Sequence, residues 1–161
     1  MTRLPGYPVR MRVKRLQESP ESVHVVVLDA GEEAVEAVGR LARELRLGAA
    51  QITAIGAFEQ AVVGWFDREA GDYRRIPVRE QCEVLSLVGD IAVGEDGEPA
   101  PHLHAVLGTA DGQVRGGHLL EGRTWPTLEL VVRNSPTALA KTWRPEVGLA
   151  LIDPDKTAER P

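Results

Sequence analysis

The sequence predicts an α+β domain built on a mostly antiparallel β-sheet of six or seven strands with one main helix. Three observations support this class. One stretch of the 161 residues has a clear helical period, several others are short and strand-like, and most of these are joined by short loops. A doubly wound parallel sheet would need a helix between most of its strands, so that fold is excluded.

The N-terminal part predicts two strands and then the helix. Residues 11–16 (MRVKRL) alternate apolar and basic side chains, as in a half-exposed strand, and residues 24–30 (HVVVLDA) predict a buried strand that carries His24 as a structural histidine. In residues 32–46, apolar side chains recur at steps of three and four and acidic residues crowd the first turn. Gly48 follows as the predicted C-terminal cap.

The helix needs a sheet on which to bury its apolar stripe, and the rest of the chain supplies strand-like segments separated by turn residues. These are residues 49–58, 61–67, 82–93, 102–108, 113–120 and 127–133. The predicted organisation is an N-terminal lead-in (1–9), one domain (10–150) and a polar, frayed C-terminal tail (151–161). Because one helix cannot cover both faces of the sheet, we expect the face without a helix to be buried against neighbouring copies of the chain.

Composition predicts a soluble cytoplasmic protein. The single cysteine, Cys82, cannot form an intramolecular disulfide, and the N-terminal residues contain no apolar run long enough for a signal or membrane segment. Residues 1–15 hold five basic side chains and no acid, interpreted as a solvated strand and its lead-in. The remaining residues carry 14 basic and 24 acidic groups, a charge of −10, which disfavours binding to a phosphate backbone.

Three of the four histidines, His102, His104 and His118, fall within one short region. Residues two apart in a strand share a face, so His102 and His104 are predicted to point away from the core. A three-residue loop at 110–112, with glycine in the left-handed position, would place His118 opposite His104 on that face. A two-residue Asp-Gly turn would instead turn His118 to the other face, unless Gly116 and Gly117 form a bulge that restores it.

Three imidazoles on one face suit a divalent transition metal, with zinc the first expectation and a fourth position open for water or substrate. Gly116 and Gly117 would allow the backbone of His118 to come close, and Glu59 and Glu121 are candidates for a further ligand or for acceptors behind the histidines. The alternative is that the histidines form only a polar or interface surface. The residues alone leave both interpretations open.

The chain resembles the plants-and-prokaryotes-conserved (PPC) domain family over about residues 10–135. The resemblance rests on the glycine, histidine and strand positions of residues 83–93 (EVLSLVGDIAV), 101–122 (PHLHAVLGTADGQVRGGHLLEG) and 126–132 (PTLELVV), together with the helical segment 31–58. It implies a homotrimer, and it implies that His102, His104 and His118 correspond to the histidines at which prokaryotic members bind a metal across a subunit boundary.

The resemblance implies less about function. Plant members bind DNA through an Arg-Gly-Arg AT-hook, which this sequence lacks, and only the second half of residues 80–85 matches the segment that plant members use for partner binding. The first hypothesis is a trimer whose metal site binds a small ligand or serves regulation. The alternatives are a DNA-binding or DNA-associated transcriptional regulator and a metal-dependent enzyme of unknown substrate. The sequence has no nucleophile elbow, phosphate-binding glycine loop or dinucleotide fingerprint.

Overall fold

The computed structural model describes residues 12–17 and 21–161, so the predicted lead-in of residues 1–9 lies outside the described residues. Within the described residues the chain forms nine β-strands and one α-helix. In chain order the elements are β1 (Arg12–Gln17), β2 (Ser22–Asp29), α1 (Ala34–Glu44), β3 (Ala49–Asp67), β4 (Asp72–Val78), β5 (Cys82–Val93), β6 (Pro99–Gly108), β7 (Val114–Asn134), β8 (Leu139–Arg144) and β9 (Leu149–Thr157).

All nine strands belong to one sheet, and every pairing is antiparallel except the short parallel contact between β5 and β8. β3 pairs with β5 and β7, and β6 pairs with the same two strands, so the pairings close into a ring of four strands. α1 packs against β6 and β7. Side chains such as Phe58, Leu107 and Leu119 are fully or almost fully buried in the core that the ring and the helix share.

The helix is shorter than the predicted 32–46, because Glu33 is its N-terminal cap and Leu45 its C-terminal cap. The Glu33 carboxylate accepts a hydrogen bond from the Glu36 N–H at 2.7 Å, and the Glu32 carboxylate accepts one from Asp29 N–H at 3.0 Å. At the other end Arg46 takes the left-handed conformation (φ 52°), so the predicted capping role of Gly48 is wrong. Gly48 instead lies against Ala138, where an added Cβ would come within 2.9 Å.

The strand count of six or seven is wrong, because the eight predicted segments form six strands and three further strands bring the number to nine among the described residues. The predicted segments 49–58 and 61–67 join into β3, and 113–120 and 127–133 join into β7, because register shifts between the two strands absorb the interruptions. In addition, β4, β8 and β9 were not predicted. β9 pairs with β8, so residues 151–157 belong to the sheet rather than to a frayed tail.

The hairpin between β6 and β7 has the three-residue loop. Thr109 N–H donates to the Gln113 carbonyl at 2.9 Å, and Gly112 has a φ of 79°. The register pairs His104 directly with His118, and no shift interrupts it between Gly108 and His118. The two-residue alternative is therefore excluded, and the expected convergence of these two histidines is confirmed.

One face of the sheet carries exposed apolar side chains on several strands, with Thr53 and His104 between or beside them. Cross-strand pairing aligns Val131 of β7, Thr53 of β3, Val88 of β5 and His104 of β6 on the same side. Val88 is 50% exposed, and Val131 and Val106 are each 41% exposed. We call this surface the open face; it consists of Thr53, Ile55, Val88, His104, Val106 and Val131. In the described part of the chain, no helix is both long and apolar enough to cross a membrane.

Candidate metal centre

The three predicted histidines form one cluster at the β6–β7 hairpin. One ligand nitrogen from each of His102, His104 and His118 lies within 4.8 Å of the other two, and all three belong to a single chain. The Nε2 atoms of His102 and His104 are 3.1 Å apart. Alternation along β6 produces this arrangement, because Leu103, Ala105 and Leu107 are buried on the opposite face.

His118 is held between two rings. Its imidazole stacks on Tyr73 of β4, with ring centroids 4.7 Å apart, and on His102 at 5.1 Å. Behind it, Gly117 lies so close to β3 that an added Cβ would overlap the Gly64 carbonyl oxygen, and a Cβ on Gly116 would lie 3.1 Å from the Ala105 oxygen. The two glycines thus permit the close strand packing that brings His118 to the cluster.

An acidic and a basic side chain lie directly behind His102. Asp90 Oδ2 is 3.3 Å from His102 Nδ1, and Asp90 Oδ1 is 3.1 Å from the Lys141 ammonium. Lys141 also donates to the Ala100 carbonyl at 2.8 Å. Sequence reasoning missed both residues. Asp90 carried a signal, since it interrupts the otherwise apolar run of residues 87–93, whereas Lys141 lies on a strand that was not predicted.

Glu59 and Glu121 lie in other contacts. Glu59 accepts a hydrogen bond from Arg123 at 3.0 Å, and Glu121 pairs with Arg75. Neither carboxylate belongs to the group of converging ligand atoms found among the described residues, and each pairs with an arginine. Asp90 occupies the place beside a histidine that was expected for them. His24 lies on β2, is 3% exposed and is not part of the cluster, in agreement with a structural role.

Burial favours the neutral form of His104 and His118 by lowering the pKa of each. Burial lowers the pKa of His118 to about 4, with the charges of His102, His104 and Lys141 acting in the same direction. Burial and the charge of His102 also lower the pKa of His104. Burial raises the pKa of Asp90, but the hydrogen bond with His102 and the charge of Lys141 outweigh it, so the net pKa is below the usual value. Neutral imidazole is the form that binds metal.

The donor set fits a transition metal. Tetrahedral zinc with Zn–N bonds of about 2.0–2.1 Å requires its ligand nitrogens to be roughly 3.3 Å apart. The 3.1 Å between the Nε2 atoms of His102 and His104 is close to that spacing. In addition, Nδ1 of His118 is buried and has no hydrogen-bond partner among the described residues. A bound cation would be one way to satisfy such nitrogens.

The fold and the histidine cluster define a class of small β-rich domain with one helix and a histidine-lined hairpin. A family model for the Plants and Prokaryotes Conserved (PCC) domain matches residues 15–136. The chain belongs to this family, which is the PPC family that the sequence resembles.

Solved structures agree with this assignment. A plant- and prokaryote-conserved protein of Pyrococcus horikoshii is 26% identical with a TM-score of 0.77, covering 90% of this chain and 96% of that chain. A metal-containing protein of Archaeoglobus fulgidus is 30% identical with a TM-score of 0.75, covering 91% and 99% respectively. A protein of Ralstonia eutropha JMP134, whose name proposes DNA binding, is 26% identical with a TM-score of 0.75, covering 81% and 90%.

One curated relative is much longer than this chain. The bifunctional protein GlmU of Synechococcus sp. (strain JA-2-3B'a(2-13)) is 33% identical over 140 residues, which are 82% of this chain and 21% of that protein. The chain therefore spans about a fifth of this relative's length.

Proposed function

We propose that this protein binds one divalent transition metal per chain through His102, His104 and His118, and that the metal serves a small ligand or a regulatory role. The observation that carries the proposal is the convergence of three imidazole nitrogens within 4.8 Å. Zinc is the expected metal, because it accepts three imidazoles in a tetrahedral site and leaves a fourth position open. The similar Archaeoglobus fulgidus protein is named as metal-containing, which supports the same conclusion.

The protein's own residues supply the ligand nitrogens of the site and hold the histidine rings in position. His102 and His104 present neighbouring nitrogens from one strand, and His118 adds the third from the paired strand. Tyr73 limits the rotation of the His118 ring by stacking on it. A bound metal would supply Lewis acidity at its open position.

The open face supports self-association, and the trimer is what the family resemblance implies. The exposed valines of this face lie on β5, β6 and β7, and Val88 lies next to His104. Exposed apolar patches of this kind are typical of protein interfaces. Trimer formation through the open face would bury these valines and bring the histidine clusters to the edges of the interfaces.

Zinc titration by calorimetry tests the metal proposal. Protein stripped with a chelator and then dialysed should bind one zinc ion per chain. Heats no larger than those of dilution would refute the metal site.

DNA binding is the second candidate, supported by the name of the similar Ralstonia eutropha protein. The charge of −10 outside the first 15 residues predicts only weak binding that is lost between about 50 and 200 mM salt. Fluorescence anisotropy with a labelled duplex measures this. Tight, sequence-selective binding at about 150 mM salt would favour the regulator over the ligand-binding trimer.

A further inference from the structure

A chain of contacts connects the C-terminal hairpin to the histidine cluster. The ammonium of Lys141, on β8, lies 3.1 Å from Oδ1 of Asp90 on β5. The other carboxylate oxygen of Asp90 lies 3.3 Å from Nδ1 of His102 on β6. The Lys141 side chain is only 7% exposed, so its position is set by these partners and by the Ala100 carbonyl rather than by solvent.

The Asp90 contact selects one tautomer of His102. An ionised carboxylate only accepts hydrogen bonds, so the His102 ring must carry its proton on Nδ1 to donate to Asp90. Nε2 then has a free lone pair, and this nitrogen is the one that lies 3.1 Å from Nε2 of His104 inside the cluster. Carboxylates that accept a hydrogen bond from the N–H of a metal-bound imidazole fix both the ring orientation and the tautomer in this way.

Lys141 comes from a part of the chain beyond the family match. The match ends at residue 136, whereas β8 and β9 span Leu139–Arg144 and Leu149–Thr157. β8 is aligned with β5 through the pairing of Ala140 with Val93, next to the position of Lys141. The hairpin therefore lies outside the matched residues, and one of its buried polar side chains, that of Lys141, is directed at the site.

We propose that the β8–β9 hairpin completes the metal site, with Lys141 holding Asp90 in place and Asp90 holding His102 in the tautomer that presents Nε2. Asp90 and Lys141 are positioning residues, since they act through His102. The inference rests on the proposed metal function, but the tautomer is set in the metal-free protein and is measured there independently.

The first measurement is the tautomer of His102, read from the ¹⁵N NMR shifts of its ring nitrogens in metal-free protein at about pH 7.5. The wild type should carry the proton on Nδ1. Asp90→Ala should shift the population toward Nε2–H, Lys141→Met should shift it less, and Asp90→Asn should restore it in part, because the amide oxygen still accepts.

The matched control is Arg144→Met. Arg144 lies on the same strand as Lys141, and its ion pair with Asp153 at 3.0 Å belongs to the same hairpin but does not contact a histidine. A role of the hairpin in stability alone would give Arg144→Met and Lys141→Met the same unchanged tautomer. That result, or an unchanged tautomer in Asp90→Ala, would overturn the proposal.

The second measurement is zinc affinity by calorimetry. Asp90→Ala should weaken zinc binding by about 10- to 100-fold, Lys141→Met by less, and Arg144→Met not at all. Unchanged or tighter zinc binding in both Asp90→Ala and Lys141→Met would contradict the positioning role. If the wild type bound no zinc while His102 kept its Nδ1 proton through Asp90, the proposed metal function would fail and the positioning of His102 would still be supported.

Discussion

His118 decides how the metal-free site responds to acid, because burial gives it a pKa of about 4. Free imidazole has a pKa of about 6.5, so the unfolded chain takes up a proton in the range between these values that the folded chain does not. The free energy of unfolding should therefore fall as the pH is lowered from about 6.5 to about 4. The lowered pKa of His104 acts in the same direction.

Urea unfolding of metal-free protein between pH 7.5 and 4 measures this pH dependence. His118→Ala should lose less stability over that range than the wild type, since it lacks the group with the most lowered pKa. Parallel pH profiles for the two proteins would show that His118 does not titrate as described. The lowered pKa values of His104 and His118 also indicate that these two imidazoles stay available to zinc somewhat below about pH 6.5, where free imidazole takes up a proton.

Single histidine variants test the ligand set. Replacing His102, His104 or His118 by alanine should lower zinc affinity by at least about 100-fold, because two imidazoles remain where three are needed. The fold should survive, since the buried side chains of β6 lie on the other face. Calorimetry measures the affinity and circular dichroism checks the fold.

Glu59→Ala and Glu121→Ala are the controls for these variants, because both carboxylates pair with arginines and not with the cluster. They should bind zinc as the wild type does. Wild-type affinity in all three histidine variants would show that the cluster is only a polar surface.

At the scale of elements, the sequence predicted the site hairpin well because its signals were local. The alternation of β6 and the Ala110-Asp111-Gly112 loop were enough to place His102 and His104 on one face and to offer the register that the structure has. The choice between the two turn types depended on hydrogen bonds that the sequence did not show, such as the one between Thr109 and Gln113.

The contacts behind the histidines could not be predicted in the same way, because they join residues distant in the sequence. Asp90 reaches His102 through the pairing of β5 with β6, and Lys141 through the parallel contact of β8 with β5. Glu59 and Glu121 were plausible acceptors until the positions of Arg123 and Arg75 were known. The strand segments that make up β3 and β7 were predicted. That each pair of segments forms one continuous strand across register shifts was not predicted.

The β6–β7 hairpin depends on Gly112 and Gly117 for different reasons. Alanine variants of the two glycines should therefore differ in their effects. Gly112 has a φ of 79° and nothing within 4 Å of an added Cβ, so Gly112→Ala should cost about 1 kcal/mol of backbone strain. Gly117→Ala should cost more, because its Cβ would overlap the Gly64 carbonyl oxygen and separate β7 from β3.

Denaturant unfolding measures the loss of stability in both variants, and zinc affinity gives a second difference between the two variants. Gly117→Ala should weaken zinc binding, since the displaced strand carries His118, whereas Gly112→Ala should affect binding less. Equal stability of Gly117→Ala and wild type would refute the close approach of the strands.

At the scale of the whole molecule, the open face predicts assembly. Light scattering at micromolar concentration should give the mass of a trimer, three times 17.5 kDa. Val88→Lys should shift the protein toward monomers, because it places a charge at the centre of the open face.

Val147→Lys is the matched control for Val88→Lys. Val147 is 44% exposed, but it lies in the loop between β8 and β9, away from the open face. It should leave the trimer intact. A wild-type monomer, or a trimer unaffected by Val88→Lys, would contradict assembly through this face.

The central claim is that His102, His104 and His118 hold a metal in the protein as the cell makes it. Elemental analysis of protein purified without a metal-affinity tag or chelator tests this most directly. The account predicts close to one transition-metal ion per chain, with zinc the main element, and a large loss of that metal in His104→Ala purified in the same way. Metal-free wild-type protein, or equal metal content in His104→Ala, would contradict it.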